Sequence, residues 1–396
     1  MTGAHSPSEG SIIGVIDRSI SEIPSIPHQI RSGFSYVPAV VLKPAEATAL
    51  DTLQGGIAND VYPLIIARAI PPVRTDTNEE TGIREPKPQP TLAEHVQSQQ
   101  NMILRALGVQ QQLFNSGVTR VMLDADGLDR QQERATLGVF RRALGDECRH
   151  VVPVLGFERG ENNRLAAEWD RDYFTGVAFR ITTLATAPRR SAAEILTLLV
   201  DLGIKANRVD LILDAGEVGE QNIDALVAIA VTFHSSVARA ARWRSVILIA
   251  NGFPRSISSL PFNISHRLVR WDLVFWKRVR YALWEDHCGQ LPIFGDYGMV
   301  HGATAEGGRM PQPNIRYTEE RYWLVHRREQ DEQAMFEVCG VVVEGDSFCG
   351  DSFSEGDAWI KRCADGSQRG SNAQTWLRAG WQHHIAFVVA QLRGRT

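Results

Sequence analysis

LPIFGDYGMVHG at residues 291–302, with PNIRY following at 313–317, is the stretch that decides how this chain is read. Residues 291–294 form a short apolar run of the kind that makes a buried strand. The run stops at Gly295, and Asp296, Tyr297 and His301 come directly after it. In an α/β protein, polar residues just past the C-terminal end of an apolar strand are the ones that build a site.

Working back from that stretch, the same arrangement occurs seven times. The earlier apolar runs are 36–42, 61–66, 118–123, 150–155, 176–179, 209–213 and 245–250, each ending on polar residues. Helical segments separate most of them. Residues 92–115 open on Thr91 with Glu94 three residues on. Residues 191–204 open on Ser191 with Glu194, the same capping-box signature. Segments 221–239 and 266–284 carry apolar residues at helical spacing, the latter with an aromatic seam of Trp271, Phe275, Val279 and Leu283. Eight continuous apolar runs with helices between them indicate parallel strands covered on both faces. Repeated right-handed crossovers close such a series into a ring. The expected fold is α/β, a TIM-like (β/α)8 barrel with a C-terminal α+β extension.

The expected organisation is an N-terminal arm at 1–34, the barrel at 35–310 and the extension at 311–396, packed on the barrel. The arm is rich in Ser, Pro and Ile and lacks a sustained period. The charged, Pro-rich insertion at 73–90 reads as an exposed loop. In the extension, 314–318 and 322–326 read as extended segments, 331–343 as a helix, and TWLRAGWQHHIAFVVAQL as a closing helix. Its neighbouring histidines, His383 and His384, point about 100° apart on a helix. One is therefore expected to be packed and the other exposed, without a shared metal. Trp271, Trp276, Trp284, Trp359, Trp376 and Trp381 are expected to serve packing.

Composition bounds the function. The chain has 396 residues, 43% hydrophobic and 22% charged, with a formal net charge of −4. That balance argues against a general nucleic-acid or anionic-membrane binder. Five scattered cysteines without a CxxC pair give no structural zinc pattern and suit reduced thiols in a cytoplasmic protein. No membrane span or secretory leader is read, and neither GxSxG nor GxxxxGK[ST] occurs.

At the mouth of such a barrel the strand tips bring Lys43, Arg68, Asp124, Asp126, Glu158, Arg180, Asp214, Glu217, Asn251, Asp296, Tyr297 and His301 to one end. Asp124, Asp214 and Asp296 are candidate ligands for a hard cation such as Mg²⁺, which takes oxygen donors. Lys43, Arg180, Tyr297 and Arg316 are candidate ligand-binding residues for phosphate or carboxylate. Asp214, Asp296 and His301 are the candidate catalytic set, with His301 as acid or base. The same charges, paired with one another, would instead cap strand ends and do no chemistry.

The strings YVPAVVLK, VDLILD, FGDYG, NIRYT and TWLRAGWQHHIAFVV resemble the beta-family proteins of bacteria and phages, over nearly the whole chain from Tyr36 onward. The resemblance implies a barrel fold and a phage or mobile-element setting, and it implies no particular reaction. It also implies an acid at the end of the second strand, where this chain reads PLII with Ile66. Two functions are expected from these readings. The first is a phage-defence or mobile-element barrel that binds a protein, nucleotide or nucleic-acid partner at its mouth. The second is a metal-dependent hydrolase, phosphodiesterase- or nuclease-like, using the strand-end carboxylates. The missing acid and the absence of a catalytic signature favour binding.

Overall fold

The computed structural model describes residues 33–73, 75–77, 84–86, 88–109, 117–182, 191–301, 314–329, 334–368 and 373–395. The expected N-terminal arm, apart from Gly33 and Phe34, and the Gly-rich stretch after Gly302 lie outside the described residues.

Strands are numbered in chain order. The barrel comprises β1 (Tyr36–Val41), β2 (Leu64–Ile66), β5 (Val121–Asp124), β6 (Val151–Leu155), β7 (Val177–Ile181), β8 (Val209–Glu217), β9 (Ser245–Asn251) and β11 (Ile293–Asp296). All eight are parallel, and β11 pairs with β1 to close the ring. Each of the eight expected runs is one of these strands.

The closed ring explains why the runs are unbroken. Val37, Ala39, Leu64, Met122, Val152, Val154, Ala178, Ile212, Ile247 and Ile249 fill the interior. Their neighbours along the strands, including Tyr36, Val40, Leu123, Leu211, Leu248 and Phe294, face the helical layer. A strand buried on both sides has no polar face, so alternation disappears from its sequence.

Helices form the outer layer. Those named below are α1 (Pro44–Asp51), α3 (Leu92–Ala106), α7 (Ala192–Asp201), α8 (Ile223–Ala240) and α9 (Trp271–Glu285), with the four-residue α2 (Gly55–Ala58), α4 (Asp126–Gln132), α5 (Leu137–Leu144) and α6 (Glu161–Tyr173) between. Both expected capping boxes form, Thr91 with Glu94 and Ser191 with Glu194. Helix α8 is long and apolar enough to cross a membrane by length and composition. Here Leu226, Ala230, Phe233 and Val237 are buried in the barrel's hydrophobic layer.

Three local expectations change. Helix α3 ends at Ala106, short of residue 115, and residues 110–116 lie outside the described residues. The insertion at 73–90 contains a short antiparallel pair, β3 (Thr75–Thr77) with β4 (Arg84–Pro86). The aromatic helix begins at Trp271, not at residue 266, because Ser265–Val269 is strand β10. Helical periodicity continues through SHRLV, but β10 pairs antiparallel with β13 (Tyr322–Arg327), a partner more than fifty residues away.

Strand β13 also pairs with β12 (Asn314–Thr318), so the extension's sheet runs β10-β13-β12 and includes one strand from a barrel loop. Helices α10 (Ala334–Glu344), α11 (Glu355–Ala364) and α12 (Ala373–Leu392) complete the extension. Helix α12 packs against α1 and β1 of the barrel and against β12 and α11 of the extension. It is the expected closing helix.

Burial holds several histidines neutral. It pushes His234 and His326 down to about 4 and also depresses His95 and His384. Unfolded, each would take up a proton below its ordinary value of about 6.5. Stability is therefore unaffected above that pH and is lost as the pH falls from about 6.5 toward 4. His234 and His326 are each worth about 3 kcal/mol over that interval. Urea denaturation midpoints are expected to fall steeply between pH 7 and pH 5, and a flat profile over that range would contradict the burial of these rings.

Candidate site at the barrel mouth

Polar residues at the C-terminal strand ends surround a cavity of about 270 Å³. Ile66, Asp124, Arg180, Thr182, Asn251 and Tyr297 line its wall, and Arg130, Glu217 and His301 stand at its rim. Strand parity puts them there. Asp124 continues the inward series of Met122 and Arg180 that of Ala178; Asp214 continues that of Ile212 and bonds the lining residues Arg180 and Tyr297 without itself lining the cavity.

Arg180 organises the floor. Its Nη1 donates to Asp124 Oδ2 at 2.7 Å, its Nε to Asp214 Oδ2 at 3.1 Å, and its Nη2 to Asp214 and to the Tyr297 hydroxyl at 2.6 Å. The Tyr297 hydroxyl donates onward to Asp214 Oδ2 at 2.7 Å. Asp214 Oδ1 accepts the Gly216 N–H at 2.9 Å, and Asp124 Oδ1 accepts the Asp126 N–H at 3.0 Å. Arg159, from the loop after β6, forks onto Asp124 through both terminal nitrogens. Two carboxylates thus meet two guanidiniums, and none of the four side chains is more than 9% exposed.

The protonation states follow. Burial opposes ionisation of Asp124, but Arg159 and Arg180 outweigh it and hold the carboxyl below the usual range. Burial likewise opposes the Arg180 charge, which Tyr297, Asp214 and Asp124 restore and strengthen. Burial, reinforced by Asp214 against the opposing pull of Arg180, pushes the Tyr297 phenol up. None of these three is near a proton-transfer point at neutral pH.

Asp296 does not join this cluster. It is outward on β11, fully buried against α12, with partners of its own. Its Oδ1 accepts the Tyr36 hydroxyl at 2.6 Å and the Gly298 N–H at 2.9 Å, and His384 Nε2 lies 3.2 Å from Oδ2. A carboxylate offers only acceptors, so Nε2 carries the His384 proton, and Nδ1 accepts from the Thr318 hydroxyl at 2.8 Å. Burial opposes the Asp296 charge, but the adjacent His384 and Tyr36 hold it low. Burial and that charge together push the neighbouring Asp272 carboxyl up.

The other candidates divide. His301 pairs with Glu217 at the rim, and Arg255 Nε donates to the same Glu217 carboxylate at 2.6 Å. Lys43 stands before α1 as its N-cap residue, outside the cavity lining. Arg316 is also outside it: its Nη1 donates to the Met299 carbonyl at 2.6 Å and its guanidinium stacks on Phe253. Burial lowers Arg316 to about 10, which leaves it charged at neutral pH. His383 and His384 are both fully buried, so the expectation of one exposed ring is corrected. Trp276, Trp359, Trp376 and Trp381 are core residues, while Trp284 is half exposed.

Sequence reasoning named Glu158 and missed its neighbour Arg159. The available signal was charge balance, since carboxylates brought to one mouth need a further cation beside Arg180. It also missed Tyr36 and His384, whose pairing with Asp296 spans most of the chain.

A divalent cation does not fit this donor set. The oxygens of Asp124 and Asp214 already accept from guanidinium, phenol and backbone donors, and Asp296 faces the other side of the strand. Among the described residues no three His, Cys, Asp or Glu side chains converge as ligands.

The fold and mouth define a closed parallel (β/α)8 barrel with an ion-paired mouth and an α+β extension docked on one flank. A family model described as Beta protein matches residues 36–390, and the chain belongs to that family. No curated protein and no solved structure matches the chain. The match spans barrel and extension together. Ile66, where the resemblance implies an acid, is part of the cavity wall.

Removing one partner of a buried ion pair leaves an uncompensated charge. Arg180→Ala is expected to destabilise the protein by about 3–5 kcal/mol in urea denaturation. Asp126→Asn is expected to cost under about 1 kcal/mol, because its partner Arg130 is largely exposed. Equal losses in the two variants would show that the Arg180 network does not hold the mouth.

Proposed function

We propose that this protein is a binding barrel, whose mouth receives a protruding polar group of a partner protein and performs no chemistry on it. The observation that carries this reading is the Arg180 network. Its carboxylates, guanidiniums and phenol satisfy one another, which yields a rigid polar floor with no poised acid, base or metal ligand. Such a floor suits recognition, because preorganised groups lose little freedom on binding.

Size supports a protruding group over a whole ligand. At about 270 Å³ the cavity falls just below the ~300–1,000 Å³ of pockets that engulf a drug-sized molecule. A loop tip or a single nucleobase fits it, and a polynucleotide does not. The apolar wall at Ile66, beside the polar Thr182 and Asn251, gives a partner both kinds of contact. We place this activity in the cytoplasm, within a phage-defence or mobile-element assembly, a setting supported by the family resemblance.

The test fills the mouth without touching its floor. Ile66→Trp is expected to preserve thermal stability and to weaken partner capture at least tenfold, in pull-downs from cells carrying the native system. Calorimetric titration with free nucleotides asks whether a nucleotide takes the partner's place. Hydrolysis of nucleotides or oligonucleotides that requires Mg²⁺ and disappears in Asp214→Asn would overturn the binding reading and establish the metal-dependent hydrolase.

A further inference from the structure

We infer that the C-terminal extension sets the geometry of the mouth, with His384 and Asp296 as positioning residues for Tyr297. The inference builds on the mouth as the binding site but stands on contacts of its own.

These contacts fall on Asp296, the last residue of β11, and on Gly298 and Met299 of the turn that follows it. Asp296 is held by His384 of α12, whose Nε2 stands 3.2 Å from Oδ2, and by the Tyr36 hydroxyl. Asp296 in turn accepts the Gly298 N–H at 2.9 Å, which folds the chain back on itself around Tyr297. Gly298 adopts φ +61°, and a Cβ there would come within 2.4 Å of the Trp381 ring, also on α12. The Met299 carbonyl accepts from Arg316 of β12 at 2.6 Å, and the Met299 sulfur lies against Gly380 of α12.

The extension therefore grips Asp296, Gly298 and Met299. Between them Tyr297 points the opposite way, into the barrel. There its hydroxyl donates to Asp214 at 2.7 Å and receives Arg180 at 2.6 Å. A one-residue pleat converts a contact on the outer face into the placement of a ring on the inner face. Any displacement of α12 moves the turn, and the turn carries the Tyr297 hydroxyl away from the hydrogen bonds it shares with Asp214 and Arg180. The hydrogen bonds and ring contacts of His384 go to Tyr36, Asp296, Thr318 and Trp381, so its link to the mouth runs through this route.

The experiment needs no ligand. Protein with ¹³C-labelled tyrosine rings is observed by NMR, and the Tyr297 resonance is assigned by its disappearance in Tyr297→Phe. In His384→Ala the Tyr297 resonance is expected to move or broaden. Tyr62, packed on Phe34 at the opposite end of the barrel interior, is expected to keep its position. Trp359→Phe serves as the control for a merely loosened extension, because Trp359 packs on Trp376 in the extension's own core. It is expected to leave Tyr297 unchanged. Should His384→Ala not fold, Asp296→Asn keeps the side-chain volume while removing the charge opposite His384, and the same readings apply. A folded His384 or Asp296 variant with Tyr297 at its wild-type position overturns the inference, as does an equal response to Trp359→Phe. The measurement is separable from partner binding. If Tyr297 moves but Ile66→Trp leaves capture intact, the mouth-binding reading fails alone.

Discussion

The structure depends on the two-sidedness of its closing strand. Successive side chains of a strand point to opposite faces, and in a closed barrel one face is the interior and the other the helical layer. In FGDYG, Phe294 faces outward and stacks on Tyr36 with ring centroids 5.8 Å apart. Gly295 faces inward where a Cβ would meet the Val37 carbonyl at 2.8 Å and Ile249 at 2.7 Å, so only glycine lets β11 close on β1 and β9. Asp296 then faces the extension and Tyr297 faces the mouth. Five residues thus complete the ring, anchor the C-terminal helix and finish the floor of the site.

The anchor continues into the extension as a buried polar seam. His383 and His384 diverge on α12, as neighbours on a helix must, yet both find partners indoors. His383 presents one ring nitrogen to the Thr318 carbonyl at 2.9 Å and the other to the Asp357 carboxylate at 3.0 Å. Tyr317 stacks on the same ring at 3.7 Å and donates to Asp357 at 2.6 Å. Buried polar groups are costly unless bonded, so a seam of this kind tolerates one seating of the helix and penalises others. That is why two adjacent histidines stand in a helix otherwise rich in apolar residues.

The mouth follows the same logic with full charges. Replacing a buried ion pair by well-packed apolar groups is often neutral or stabilising, so such pairs are weak evidence of stability. The Asp124, Arg159, Arg180 and Asp214 arrangement instead gives a barrel mouth a defined shape and a fixed charge state. Functional sites in which acids and bases work keep groups near their titration points. Here burial and pairing drive Asp124, Arg180 and Tyr297 away from theirs, a pattern that suits a template.

Local sequence determined the eight strands, the capped helices and the closing helix, because burial on both faces and capping chemistry act within a few residues. It also determined which strand ends are polar, and so the ring of residues from which a mouth had to be made. Only the tertiary structure decided which of those residues meet. Asp214 and Asp296 look alike in sequence, each at the end of an apolar run. With both faces of each run apolar, nothing local marks which parity faces inward. Ring closure sets that parity, turning Asp214 toward Arg180 and Asp296 toward His384. It was likewise β13, distant in sequence, that made SHRLV a strand, and the seating of α12 between the barrel flank and the rest of the extension that buried both histidines. Contacts of long sequence separation are written in no single window of the chain.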